Sequence, residues 1–377
     1  MGGQIGLEED LAEAARIKEE EEEEKDGKRK TRNRSEEIDA KEKLKRHYRL
    51  KDKLAPLFDD PGQSIDNCYI RLALLTQQRF QQQKNENDNE EEEEAKYKES
   101  ETWTNTLDYS LIYGNKMETL EVQDIWKDKE NGLVVRHISI CGEAGSGKSV
   151  LSQRIAYLWA NDQMWNDQFQ YLLHIPLRKI ANIFDRHYGN DDEKMNDGNE
   201  DIEYLWSMIM NELHIPRWNA NDTNCVIHSI NGLLLLLDGF DEIANEIEKS
   251  SCLKQWLQHC TSNENYCVII TSRPNAMCQY LYHPRMLNVI GFKTQDIRNY
   301  IRAYFRNMDI DDKDNSQSDS LIKKLNNNPS LKLLSHTPLY LRLFCYLARQ
   351  DKSSSSNNDQ WDDMTLAKLK YAKWRND

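Results

Sequence analysis

The sequence predicts an α/β protein. Its core is three-layered with a parallel sheet, a helical domain follows, and a charged helical or disordered arm precedes it. Three observations carry this. Beyond about residue 100, short apolar runs alternate with segments of helical spacing, the pattern of a doubly wound sheet. The runs are continuously apolar rather than alternating, as strands covered on both faces must be. The glycine-rich segment Gly142 to Ser149 lies between the first such run and the first such helix.

Composition sets the outer bounds. The 377 residues suffice for one large core or two domains. Hydrophobic residues are only 38% and mean hydropathy is −0.85, but the deficit is concentrated in the first hundred residues. Lys+Arg 50 against Asp+Glu 64 gives a net charge of −14, which argues against a nucleic-acid-binding surface. No apolar run approaches the roughly 18 residues of a membrane span. The first apolar stretch is broken by Glu8, Glu9 and Asp10, so no signal peptide is read, and a cytoplasmic setting is expected. The eight cysteines contain no Cys-x-x-Cys pair and are expected to be reduced thiols.

Residues 1–52 are helix formers and charges, with an acidic run at Glu19 to Glu24 and a basic cluster from Lys28 to Arg34. Adjacent blocks of opposite sign neutralise each other in a solvated helix or a disordered arm. No sustained apolar heptad supports a stable coiled coil. Residues 53–83 hold enough apolar positions, Leu54, Leu57, Ile65 and Tyr69 among them, for a short helical segment. Residues 84–105 form an acidic low-complexity linker. Composition therefore sets residues 1 to about 100 apart from the core.

The core is placed at 106–310. Val134 to Cys141, Tyr171 to Leu177, Leu233 to Leu237, Tyr266 to Thr271 and Met286 to Ile290 read as strands. Ser149 to Ala160, Ile202 to Leu213 and Gln295 to Phe305 read as helices, and Asp185 to Asp201 as an acidic loop. Residues 311–377 are helical and carry a shortened C-terminal segment.

Gly142-Glu143-Ala144-Gly145-Ser146-Gly147-Lys148-Ser149, with Val150 behind it, fits Gly-x-x-x-x-Gly-Lys-[Ser/Thr] in full, in the strand-to-helix setting this motif needs. The glycines let the backbone turn and aim N–H groups at phosphate oxygens. The helix N-terminus adds positive potential. Lys148 supplies a charge for the β- and γ-phosphates, and Ser149 a hydroxyl for Mg²⁺. About ninety residues later the apolar run Gly232 to Leu237 ends in Asp238, placed to hold Mg²⁺. Asp241 and Glu242 lie just past the strand end, where either can orient the attacking water. Arg273, after the strand Tyr266 to Ile270, either senses the γ-phosphate or is an exposed arginine.

These residues resemble a NACHT domain, of the signal-transducing P-loop class that includes animal innate immune receptors. The matching segments are Ile138 to Ser149, Leu177-Arg178, Leu235 to Glu242 with a small residue after the metal acid, Ile269 to Pro274, Gly291-Phe292 with Asp296 to Ile301, and Leu334 to Leu339. The resemblance implies that Pro338 lies against the nucleotide base, that ATP is preferred with GTP possible, and that the triphosphate form self-associates. The family usually continues into a winged-helix segment and a repeat-built sensor, whereas this sequence stops at Asp377.

The expected function is therefore nucleotide binding and slow hydrolysis, driving a conformational and self-association switch in signalling with a protein partner that the sequence does not identify. Two alternatives stand beside it. One is an AAA+-like ATPase that remodels a partner, although Gly239 occupies the position where such motors carry a catalytic Glu. The other is a scaffold that nucleotide merely stabilises.

Overall fold

The computed structural model describes residues 37–54, 64–65, 74–76, 120–127, 135–188, 198–230, 232–248, 250–274, 276–289, 291–308 and 316–350. Among these, five strands pair in parallel: β2 (His137–Cys141), β3 (Tyr171–Pro176), β4 (Leu233–Asp238), β5 (Tyr266–Ser272) and β6 (Arg285–Val289). The short β1 (Leu74–Thr76) adds antiparallel to β6, giving the order β1-β6-β2-β5-β4-β3. Every residue of β2 and β4 is buried, which explains the unbroken leucine run of β4, while β2 carries His137 and Ser139 among its apolar residues.

Helices cover both faces. After β2 comes α2 (Lys148–Ala160), and after β3 come α3 (Leu177–Tyr188), α4 (Gly198–Glu212) and α5 (Ala220–Ile227). The single turn α6 (Ala244–Ile247) and α7 (Ser251–Ser262) join β4 to β5. Side chains alternate across a strand, so Asp238 and Leu233 point to opposite faces. Ser152 of α2 meets Asp238 on one face. On the other, Trp206 of α4 stacks edge-on against Trp256 of α7 and against Tyr266, the register partner of Leu233. This is a P-loop-type three-layer core. Beyond β6, α8 (Thr294–Met308), α9 (Ser316–Asn327), α10 (Pro329–Leu334) and α11 (Pro338–Gln350) pack on one another as the helical part.

The parallel register fixes where chemistry gathers. Cys141 pairs with Ser272, and Leu237 with Ile270. The C-terminal ends of β2, β4 and β5 therefore finish side by side, where open α/β sheets bind ligands. Because β2 lies between β5 and β6 and its successor β3 lies at the far edge, the turn after β2 sits at the reversal in strand order.

The N-terminal region differs from expectation. Residues 37–49 form helix α1, which is docked rather than solvated. Ala40, Leu44 and Tyr48 form its buried stripe. The Tyr48 hydroxyl donates to the Leu172 carbonyl at 3.3 Å and accepts from the His174 N–H at 2.9 Å, satisfying the open edge of β3. Arg49 Nε donates to the Ala160 carbonyl at 2.8 Å, capping α2. Lys43 pairs with buried Asp222 at 2.9 Å, and Lys45 with Asp162. Burial of these stems and of Tyr48 outweighs the polar composition. In the span read as helical, Leu74–Thr76 is a strand instead. α3 runs on to Tyr188 and α4 begins at Gly198, so helix takes both ends of the expected acidic loop. The acidic linker and residues 351–377 lie outside the described residues.

Candidate functional site

The turn after β2 is held from below. The Gly142 N–H donates to the Ser272 carbonyl at 3.2 Å, tying the loop to the end of β5. A Cβ at Gly142 would stand 2.7 Å from Ser146 Oγ and 3.0 Å from the Val289 carbonyl oxygen, so only glycine fits. Gly145 has φ +76°, and its outer side meets Leu339 of α11, whose N–H donates to the Gly145 carbonyl at 3.3 Å. Lys148 Nζ donates back to the carbonyls of Gly142 at 2.6 Å and Glu143 at 3.1 Å. Burial lowers its pKa, and of the carboxylates that oppose this, Asp241 contributes most.

Asp238 closes β4 as a buried carboxylate. Its Oδ1 accepts from Thr271 Oγ1 at 2.6 Å and from Ser152 Oγ at 3.3 Å. Thr271 Oγ1 also accepts from the Gly239 N–H at 3.0 Å, so one hydroxyl fixes both the acid and the turn after it. Asp241 receives the Arg273 backbone N–H at 3.1 Å and Arg273 Nε at 2.9 Å. Glu242 has no hydrogen bond or ion pair among the described residues. Desolvation raises its pKa, Arg178 opposes that, and Asp241 and Asp238 add to it.

The sequence-derived residues thus fall into three places. Gly142 to Ser149, Asp238, Asp241, Glu242 and Arg273 share the C-terminal edge of the sheet. Pro338 opens α11, one residue before the contact with Gly145. The Val150 side chain turns the other way and packs against Leu54 and Ile65. Sequence reasoning gave no role to Thr271, Ser152 or Arg178. The hydroxyls become visible only once β5 and α2 are set beside β4. Arg178 had a signal, its place just after an apolar strand.

The residues present fit a magnesium nucleotide. Ser146 Oγ is buried without a hydrogen-bond partner among the described residues. Ser149 is exposed, and Asp238 Oδ2 accepts no hydrogen bond from the described residues, so oxygen donors on two elements are open to a hard cation. A parallel sheet, a Gly-rich turn, a lysine at a helix start and an acid at the neighbouring strand end define the P-loop NTPase class.

Comparison narrows the class. Residues 136–308 match the NACHT domain model, and the chain is a NACHT-domain protein. It is 24% identical over 325 residues to human "NACHT, LRR and PYD domains-containing protein 3", covering 81% of this chain and 27% of that protein. The Macaca mulatta protein of the same name is 23% identical over 321 residues, with the same shares. Human "NACHT, LRR and PYD domains-containing protein 12" is 22% identical over 257 residues, covering 63% of this chain and 22% of that one. The chain thus spans about a quarter of the length of these relatives. The domain is that of a nucleotide- and Mg²⁺-binding NTPase of signalling proteins.

Among the described residues, no helix is long and apolar enough to cross a membrane, and no group of three or more His, Cys, Asp or Glu is placed to hold a metal ion on its own. Cys141, Cys225, Cys252, Cys260, Cys267, Cys278 and Cys345 are free thiols, and Cys68 lies outside the described residues.

Proposed function

We propose that the chain is an ATP-driven molecular switch: it binds Mg-ATP, hydrolyses it slowly, and self-associates in the triphosphate form to engage a protein partner in signalling. The observation that carries this is the convergence of the Lys148 loop, the Asp238 carboxylate and the Asp241–Arg273 pair on one edge of the sheet. In this reading residues 106–310 hold the nucleotide and residues 311–377 report its state.

The roles follow from charge and position. Backbone N–H groups of Gly142 to Ser149 cradle the phosphates, and Lys148 pairs with the outer ones. Ser149 and Asp238 would hold Mg²⁺, which would supply positive charge against the phosphates. Glu242, unpaired and with a raised pKa, orients water and takes its proton. Pro338 at the start of α11 meets the base. ATP is favoured over GTP by the family resemblance alone.

Thermal unfolding of this chain tests this. Saturating Mg-ATP should raise the unfolding free energy by about 2.7 kcal/mol at a hundredfold excess over Kd. Lys148→Ala should remove most of that shift. An unchanged melting curve with both ATP and GTP, in a folded sample, contradicts the reading.

A further inference from the structure

The two acids after β4 are not equivalent. Asp241 is 12% exposed and grips Arg273 through two separate donors, the backbone N–H at 3.1 Å and Nε at 2.9 Å. Backbone and side chain of one residue converge on one carboxylate, so the guanidinium cannot swing away without breaking a charge-assisted bond. Asp241 is therefore the counter-anion of Arg273, the cation that the sequence sets beside the γ-phosphate position. The Asp241–Arg273 pair lies on a cleft of about 540 Å³ whose wall also includes Glu242, Asn245, Met277 and Tyr280, so the guanidinium, 43% exposed, has room to move once released.

A γ-phosphate brings negative charge toward Arg273 and competes with Asp241 for it. A diphosphate lacks that group and does not compete. We propose that Asp241 is a positioning residue that holds Arg273 in reserve, so that the strength of this pair sets how far the site prefers nucleoside triphosphate over diphosphate. The proposal rests on the nucleotide-site reading above. It separates Asp241 from Glu242, which remains free to act on water.

The test uses the full chain and two probes, a non-hydrolysable ATP analogue and ADP, each with Mg²⁺, by titration calorimetry. The quantity read is the ratio of the two dissociation constants. Asp241→Asn keeps the shape but drops the charge, and should shift the ratio toward triphosphate by about five- to tenfold. Asp241→Glu should stay near wild type. Arg273→Ala should weaken the triphosphate and spare the diphosphate. In the Arg273→Ala background, Asp241→Asn should change the ratio less than about twofold, because residues acting through one another are not additive.

A ratio unmoved by Asp241→Asn overturns the proposal, and so does an equal shift with and without Arg273. If Asp241→Asn fails to melt like wild type, the Arg273→Ala arm decides, and no triphosphate-specific loss there refutes the latch. Wild-type protein that binds neither probe overturns the nucleotide reading and this proposal with it. Tight binding with a flat ratio removes the latch alone.

Discussion

Two hydroxyls converge on one oxygen of Asp238, Thr271 from the neighbouring strand and Ser152 from the helix above. This matters because a buried carboxylate needs its lone pairs filled without losing the face it turns to a cation. Thr271→Val should cost on the order of 2 kcal/mol, since it leaves the Gly239 N–H and an acid oxygen short of partners. It should also weaken Mg-nucleotide binding, read as a higher Mg²⁺ requirement in the same titration; an unchanged requirement would show that the hydroxyl is only structural. Glu242 makes a contrasting prediction. Glu242→Gln should leave nucleotide affinity near wild type and abolish single-turnover hydrolysis, because a group acting only in the transition state affects rate and not binding. Retained hydrolysis would remove Glu242 from the chemistry. Gly142 to Ser149 was legible in the sequence because its parts are consecutive. Asp238 was legible from the apolar run that delivers it. Thr271 and Ser152 were not, because their role exists only through strand register and a helix seated across it.

At the scale of elements, α1 is where sequence and structure part. Its buried positions repeat every four residues, Ala40, Leu44 and Tyr48, but Lys43, Lys45 and His47 between them are themselves largely covered. Composition counts those residues as solvent-loving, and only the docking partners show why they are not. Gln153 of α2 donates to the Lys51 and Lys53 carbonyls at 2.6 and 3.0 Å, and Leu54 and Ile65 receive Val150 and Tyr157. The segment thus rests on the helix that begins with Lys148, and deletion through residue 54 should lower both the melting temperature and nucleotide affinity. This reverses the expectation from composition, and a deletion with intact affinity would restore it.

Tyr48→Phe is the finer probe. It strands the Leu172 carbonyl and the His174 N–H, at a cost of about 2 kcal/mol in urea unfolding. The same seam responds to pH. Burial pulls His47 and His174 from 6.5 to about 4 in the folded state. The unfolded chain then binds more protons between those values, so stability is full above 6.5 and is lost as pH falls toward 4. Between pH 7 and 5 the loss should be about 2 kcal/mol for His174 and smaller for the partly hydrated His47, and His47→Gln should flatten the profile. A profile unchanged by His47→Gln would show that this histidine is not held neutral.

Across the whole molecule, the helical part touches the nucleotide loop directly. Leu339 donates to the Gly145 carbonyl, and the Phe292 N–H donates to the His336 carbonyl at 2.8 Å. Movement of α11 relative to the sheet must break or remake the first of these, so loop occupancy and helical arrangement share one contact. Gly145→Ala should be costly for the same reason, because its Cβ would lie 3.0 Å from Leu339 Cβ at a φ of +76°. The alternation of apolar runs and helices made the sheet legible, whereas the contact of Leu339 with Gly145 was not read from the sequence, where the resemblance implied only that Pro338 lies against the nucleotide base. The switch itself is tested most directly by size-exclusion light scattering of the full chain with Mg²⁺ and a non-hydrolysable ATP analogue, beside Mg-ADP and nucleotide-free samples. The account predicts a larger assembly with the triphosphate analogue alone, lost in Lys148→Ala. The same mass in all three conditions, with binding of the analogue demonstrated in the same sample, would contradict it.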